Sequence, residues 1–61
     1  MAKFSAIIKS LRIERGITQE QLAALLKLSR STIGMYETGS REPDFETLEA
    51  IADIFNVDMD Y

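Results

Sequence analysis

Apolar residues recur along this chain at helical spacing. Phe4, Ile7, Ile8 and Leu11 fall three and four apart and Gly16 closes the run, which predicts a first helix from about residue 3 to 15. Leu22, Leu25 and Leu26 share one face with Ala23 beside them, predicting a second helix over about 18–26. Ile33 and Tyr36 point inward from a third, about 29–37. Phe45, Leu48, Ile51, Ala52 and Phe55 form the apolar face of a fourth, with Asp44 as its cap after Pro43. Asn56 and Val57 break that helix, Asp58 can cap again, and Met59 to Tyr61 read as the first turn of a fifth. No segment alternates as a strand would, and no internal repeat or low-complexity run occurs. The expectation is an all-α bundle of about five short helices.

The polar residues between these stripes specify how the second and third helices join. Thr18 can cap the second helix, with Gln21 reaching back to complete a capping box. Ala23 is small enough to let another helix cross closely. Lys27 and Leu28 make a tight turn, Ser29 caps the third helix, and Arg30 and Ser31 stand at its exposed first turn. Thr38 and Gly39 end it, glycine taking a left-handed backbone without steric cost. Two short amphipathic helices joined this way are the sequence form of a helix-turn-helix, whose second helix enters the DNA major groove.

Composition narrows the function classes. The 61 residues make one domain, in which only about 60% of the unfolded surface is buried. Without cysteine or histidine there is no disulfide framework and no usual zinc site, and a reducing, cytoplasmic compartment fits. No stretch approaches the ~20 apolar residues of a membrane span, and no signal-peptide pattern opens the chain. An enzyme is disfavoured, because acids such as Asp53 and Asp58 lack a nucleophile or metal-ligand partner and read as solvated surface. No cofactor or metal is expected.

The formal charge of −3 runs against the basic character expected of a DNA-binding domain. Its distribution changes the picture. All seven basic residues, Lys3, Lys9, Arg12, Arg15, Lys27, Arg30 and Arg41, lie in the first 41 positions against three acids (Glu14, Glu20 and Glu37), a net of +4. Residues 42–61 carry seven acids, Glu42, Asp44, Glu46, Glu49, Asp53, Asp58 and Asp60, and no base. Such a polar distribution can orient a protein on a polyanion if the fold separates the two halves in space.

The strings LRIERGITQEQLAALL, LSRSTIGMYETG and REPDFETLEAIADIFNVDMDY, in this order and spacing, resemble the phage-repressor and Cro type of helix-turn-helix domain, also called the XRE family. The resemblance runs from about Ile7 to Tyr61. It implies a five-helix domain and a sequence-specific regulator of transcription, usually a repressor, that binds a palindromic operator in double-stranded DNA as a homodimer. It also implies a bacterial or phage-encoded protein associated with the nucleoid, of which residues 1–61 form the N-terminal DNA-binding part.

Carried over by position, the resemblance implies that Arg30, Ser31 and Thr32 read base edges. Arginine suits bidentate bonding to guanine O6 and N7. Met35, one turn on from Ser31, either meets a thymine methyl or fills space as an ordinary methionine. Gln19 matches the phosphate-binding position at the start of the second helix, where free amides also face the anion. Thr18, Lys27, Ser29 and Arg41 are further phosphate candidates. Arg12 and Glu37 match a structural ion pair joining the first helix to the end of the third.

Two positions depart from the pattern. Lys27 stands where many members have glycine, at a left-handed turn costing a lysine on the order of 1 kcal/mol. Gly34 lies inside the third helix at a penalty of roughly 1 kcal/mol against alanine. It is either a point of close approach, to DNA or to another helix, or a tolerated surface glycine. Weak self-association is expected through Ile54, Met59 and Tyr61. The competing reading is a protein-interaction module, antitoxin-like or an adaptor, that uses the acidic C-terminal half on a helix-turn-helix scaffold.

Overall fold

The computed structural model describes residues 4–57. Among them it contains four α-helices: α1 (Phe4–Glu14), α2 (Gln19–Leu26), α3 (Arg30–Thr38) and α4 (Phe45–Phe55). The fifth helix expected from residue 59 onward lies outside the described residues, as do Met59 and Tyr61 of the expected self-association surface.

Each junction is made by the local chemistry its residues carry. The Thr18 hydroxyl accepts from the Gln21 N–H at 3.0 Å while Gln21 Oε1 accepts from the Thr18 N–H at 2.8 Å, a reciprocal capping box. Lys27 then takes a left-handed backbone, φ 59°, and the following Leu28 N–H reaches back to the Ala23 carbonyl at 2.9 Å. Ser29 Oγ accepts from the Thr32 N–H at 3.2 Å and starts α3, which Gly39 ends at φ 83°. Asp44 caps α4 through the Thr47 N–H at 2.8 Å, and Asn56 closes it in the left-handed region.

These short helices wrap one small core. Phe4, Ile8, Leu22, Ala23, Ile33, Tyr36, Ile51 and Phe55 are buried, so every helix contributes two residues. Both α1 and α2 pack across α3, and α4 packs against α2. Phe4 meets Tyr36 edge to face, with ring centroids 6.4 Å apart. Ala23 is buried in the core, where α2 packs against both α3 and α4.

Three apolar positions depart from the periodic expectation. Phe45 is 73% exposed and Leu25 58%, each at the edge of the apolar stripe of its helix, and Ile7 is 37% exposed. Burial in α4 is concentrated at Ile51 and Phe55, toward its C-terminal half, so the first turn overhangs the core. Ile54, expected at a surface, packs partly against the core instead.

Candidate nucleic-acid interface

α3 turns Ile33 and Tyr36 into the core. With 3.6 residues per turn, Ser31, Gly34, Met35 and Thr38 therefore fall on the opposite half of the helix. Ser31 and Thr38 are exposed, and Gly34 and Met35 are half-buried. Arg30 is exposed on the flank nearest α2. Thr32 lies on the other flank, half-buried, with its hydroxyl 2.9 Å from that of Ser29.

A chain of polar contacts runs from the start of α3 into the interior. Arg30 Nη1 donates to Gln19 Oε1 at 2.8 Å, and Gln19 Nε2 donates to Glu37 Oε1 at 3.1 Å. Glu37 in turn receives Arg12, whose Nε lies 2.6 Å from Oε2 and whose Nη2 lies 3.2 Å from Oε1. Arg12 Nη1 donates to the Ile17 carbonyl at 3.0 Å, joining the α1–α2 turn to the same network. The Glu37 side chain is only 3% exposed and that of Arg12 14%. Burial works against the charge on Glu37, yet the hydrogen bonds from Arg12 and Gln19 and the nearby positive charges hold its carboxyl below the ordinary range. The bond to Glu37 likewise raises the Arg12 guanidinium above its ordinary value, against the opposing effect of burial.

Beside this chain lies a cleft of about 380 Å³ lined by Arg12, Gly16, Ile17, Thr18, Gln19, Glu20 and Arg30. It opens at the N-terminus of α2 beside the exposed Arg30, whereas the Arg12 guanidinium is committed to Glu37 and the Ile17 carbonyl and Glu20 adds a negative charge to the rim. Thr18 and Ser29 are both occupied as caps, their oxygens accepting backbone N–H groups. The Ser29 hydroxyl also lies 2.9 Å from that of Thr32. Lys27 and Arg41 are exposed, at the α2–α3 turn and in the link after α3 respectively.

The link is shaped by a feature that spacing does not bring out. The Met35 carbonyl accepts the Ser40 N–H at 3.0 Å and the Arg41 N–H at 3.3 Å, with the Thr38 hydroxyl also donating to it at 3.2 Å. This folds the link back on the end of α3 and fixes where Arg41 emerges. The hydroxyls of Thr38 and Ser40, 2.8 Å apart, are therefore part of the same surface. Arg15 also has an unforeseen position. It donates to the Phe55 carbonyl and its guanidinium lies 5.7 Å from the Phe55 ring centroid, so it closes α4 and stacks on the core. The positive charge available to a ligand is correspondingly smaller than a count of basic residues suggests.

Comparison with known proteins agrees with this geometry. A profile of the helix-turn-helix family matches residues 8–61. Among curated relatives, the HTH-type transcriptional regulator YqaE of Bacillus subtilis (strain 168) is 41% identical over 58 residues, covering 95% of this chain and 50% of that protein. The cryptic phage CTXphi transcriptional repressor RstR of Vibrio cholerae is 37% identical over 54 residues, covering 88% of this chain and 49% of the repressor. A crystal structure of a mutant of the restriction-modification controller protein C.Esp1396I superposes with a TM-score of 0.80 at 38% identity, covering 90% of this chain and 71% of that one. The chain belongs to the helix-turn-helix family, and the relatives it matches are named as transcription regulators, among them phage repressors. It spans about half the length of curated relatives such as these.

Proposed function

We propose that this domain binds duplex DNA sequence-specifically as the reading head of a transcription regulator, most simply a repressor, and does so as a homodimer on a palindromic operator. α3 enters the major groove. Arg30, Ser31 and Met35 meet base edges there, with Thr32 at the rim, while Gln19, Thr18, Lys27, Ser29 and Arg41 meet the phosphates on either side.

The observation that carries this reading is the posture of Arg30. A surface arginine ordinarily samples many rotamers, and ordering one costs up to about 2 kcal/mol of side-chain entropy. Here Gln19, itself held by Glu37, holds Nη1 from α2 while Arg30 stays exposed at the flank of the helix face. A donor fork oriented before binding is what bidentate readout of guanine needs. The relatives named as phage or bacterial transcription regulators support the same reading.

The test is selection from a random duplex library at low salt, with an Arg30→Ala/Ser31→Ala variant in parallel. Recovery of one palindromic motif, relaxed at defined base positions by the double substitution, is the expected result. Recovery of no motif would return weight to the interaction-module reading of the acidic C-terminal half. Affinity for duplex should also fall steeply as salt rises, because phosphate neutralisation releases counterions.

A further inference from the structure

Gly34 is unexplained by the fold. Its backbone is not in the left-handed region that Gly16 and Gly39 occupy, so no turn requires it. A Cβ built at this position meets nothing within 4 Å beyond its chain neighbours and the backbone of its own helix, so no neighbouring helix requires it either. Glycine in a helix interior nevertheless disfavours the helix relative to alanine. The protein therefore carries a locally destabilising residue, in the middle of α3, for which its own packing offers no return.

Position on the helix supplies the missing reason. Gly34 is one residue from Ile33 and two from Tyr36, which places it roughly 100° and 160° round the helix from those core residues. It forms an i, i+4, i+8 row with Arg30 and Thr38, and Ser31 stands one turn before it. Helical side chains lean toward the N-terminus, so anything attached at residue 34 would project over the first turn of α3. That is the space beside the Gln19-anchored guanidinium of Arg30.

We propose that Gly34 is a specificity-determining position: its missing side chain leaves a notch beside Arg30 and Ser31 into which the major-groove edge of a base pair fits, bringing the helix backbone closer to DNA than any other residue there would allow. The inference rests on the reading of α3 as the groove-entering helix, and it makes the glycine a steric selector for one base pair near the Arg30 contact. A methyl group at this point costs the free protein nothing and obstructs only the bound base pair.

The experiment compares the parent domain with Gly34→Ala in three measurements: thermal unfolding, affinity for the operator selected by the parent, and affinity for a random duplex of equal length. Gly34→Ala should melt above the parent and bind the random duplex with unchanged affinity and salt slope. Its affinity for the selected operator should fall roughly tenfold, the effect of losing one well-made base contact. A fresh selection with the variant should return a motif altered at one symmetric pair of positions. Operator affinity within about twofold of the parent, with an unchanged motif, would overturn the inference while leaving the DNA-binding reading intact. A melting temperature well below the parent's would also overturn it, by showing that the fold itself needs the glycine. If the parent selects no motif, both readings fall together.

Discussion

Gln19 Oε1 accepts a hydrogen bond from Arg30 Nη1 at 2.8 Å, tying the first residue of α2 to the first residue of α3. The two are eleven positions apart, and the bond crosses the turn that sets the angle between the helices. Gln19 is in turn oriented by Glu37, so the posture of an exposed arginine is controlled from a nearly buried carboxylate. Replacing Gln19 with alanine should free Arg30 without removing its charge. Affinity for the selected operator is expected to fall about tenfold. Random-duplex affinity should fall less than about threefold, because only one phosphate-site residue is lost. Fluorescence anisotropy on the two duplexes measures the ratio directly; an equal loss on both would mean that Gln19 acts only as a phosphate ligand.

Arg12 and Glu37 join α1 to the end of α3 across a sequence separation of 25 residues. Removing one partner strands the other. Because Arg12 is partly exposed, the cost should sit at the lower end of the buried-pair range, about 3 kcal/mol. That is a large share of what a domain of this size holds. Arg12→Met and Glu37→Leu should each lower the urea midpoint strongly, whereas the double variant should recover much of the loss by replacing the pair with apolar contact. Equally poor stability in the double variant would show that the pair's bonds to Gln19 and to the Ile17 carbonyl matter more than the pair itself.

Acid should release the same contact. The Glu37 carboxyl titrates below its ordinary value of 4.5 in the folded domain, held there chiefly by Arg12 and Gln19 against the effect of burial. The unfolded chain therefore binds the proton first. The corresponding stability is fully present above about pH 4.5 and is lost as pH falls through the lower folded value. Asp44, held low by its hydrogen bonds from Thr47, acts in the same direction. Denaturant midpoints measured from pH 7 to pH 3 should decline mainly below pH 4.5, and Glu37→Gln should flatten that decline while starting from a lower value. An unchanged slope in Glu37→Gln would assign the acid sensitivity to other carboxylates.

Local chemistry is legible from residue type and spacing, whereas distant chemistry is legible only where the family resemblance supplies it, as for the Arg12–Glu37 pair. Thr18, Ser29 and Asp44 act on an N–H three residues away, so residue type and position alone announce the helix starts. Helix limits from periodicity are correspondingly close, about 3–15 for an α1 that runs Phe4–Glu14. Periodicity gives a side chain's direction, however, and not how far a neighbouring helix extends over it. Phe45 and Leu25 sit at the edges of their stripes, each roughly 100° round its helix from the midpoint of the buried residues, where no neighbouring helix covers them. The Arg30–Gln19–Glu37 chain spans separations of 11 and 18 residues, and no spacing rule reaches across them. Arg15 shows the same limit: along the chain it is one more positive charge, whereas the fold brings the end of α4 against its guanidinium.

Lys27 offers a separable test of turn conformation against charge. It holds a left-handed backbone, φ 59°, at the end of α2, where an L side chain crowds the following carbonyl. Lys27→Gly removes that crowding and should raise stability by roughly 0.5–1 kcal/mol, somewhat offset by the greater freedom of glycine in the unfolded chain. It also removes one exposed positive charge from the α2–α3 turn. If Lys27 meets a phosphate, the slope of log affinity against log salt should become shallower by about one, uniformly across operator and random duplex. Thermal unfolding and a salt titration on the same variant report the two effects independently. A more stable variant with an unchanged salt slope would place Lys27 away from the phosphates, and a less stable one would show that its side chain supports the turn in a way its backbone angle does not disclose.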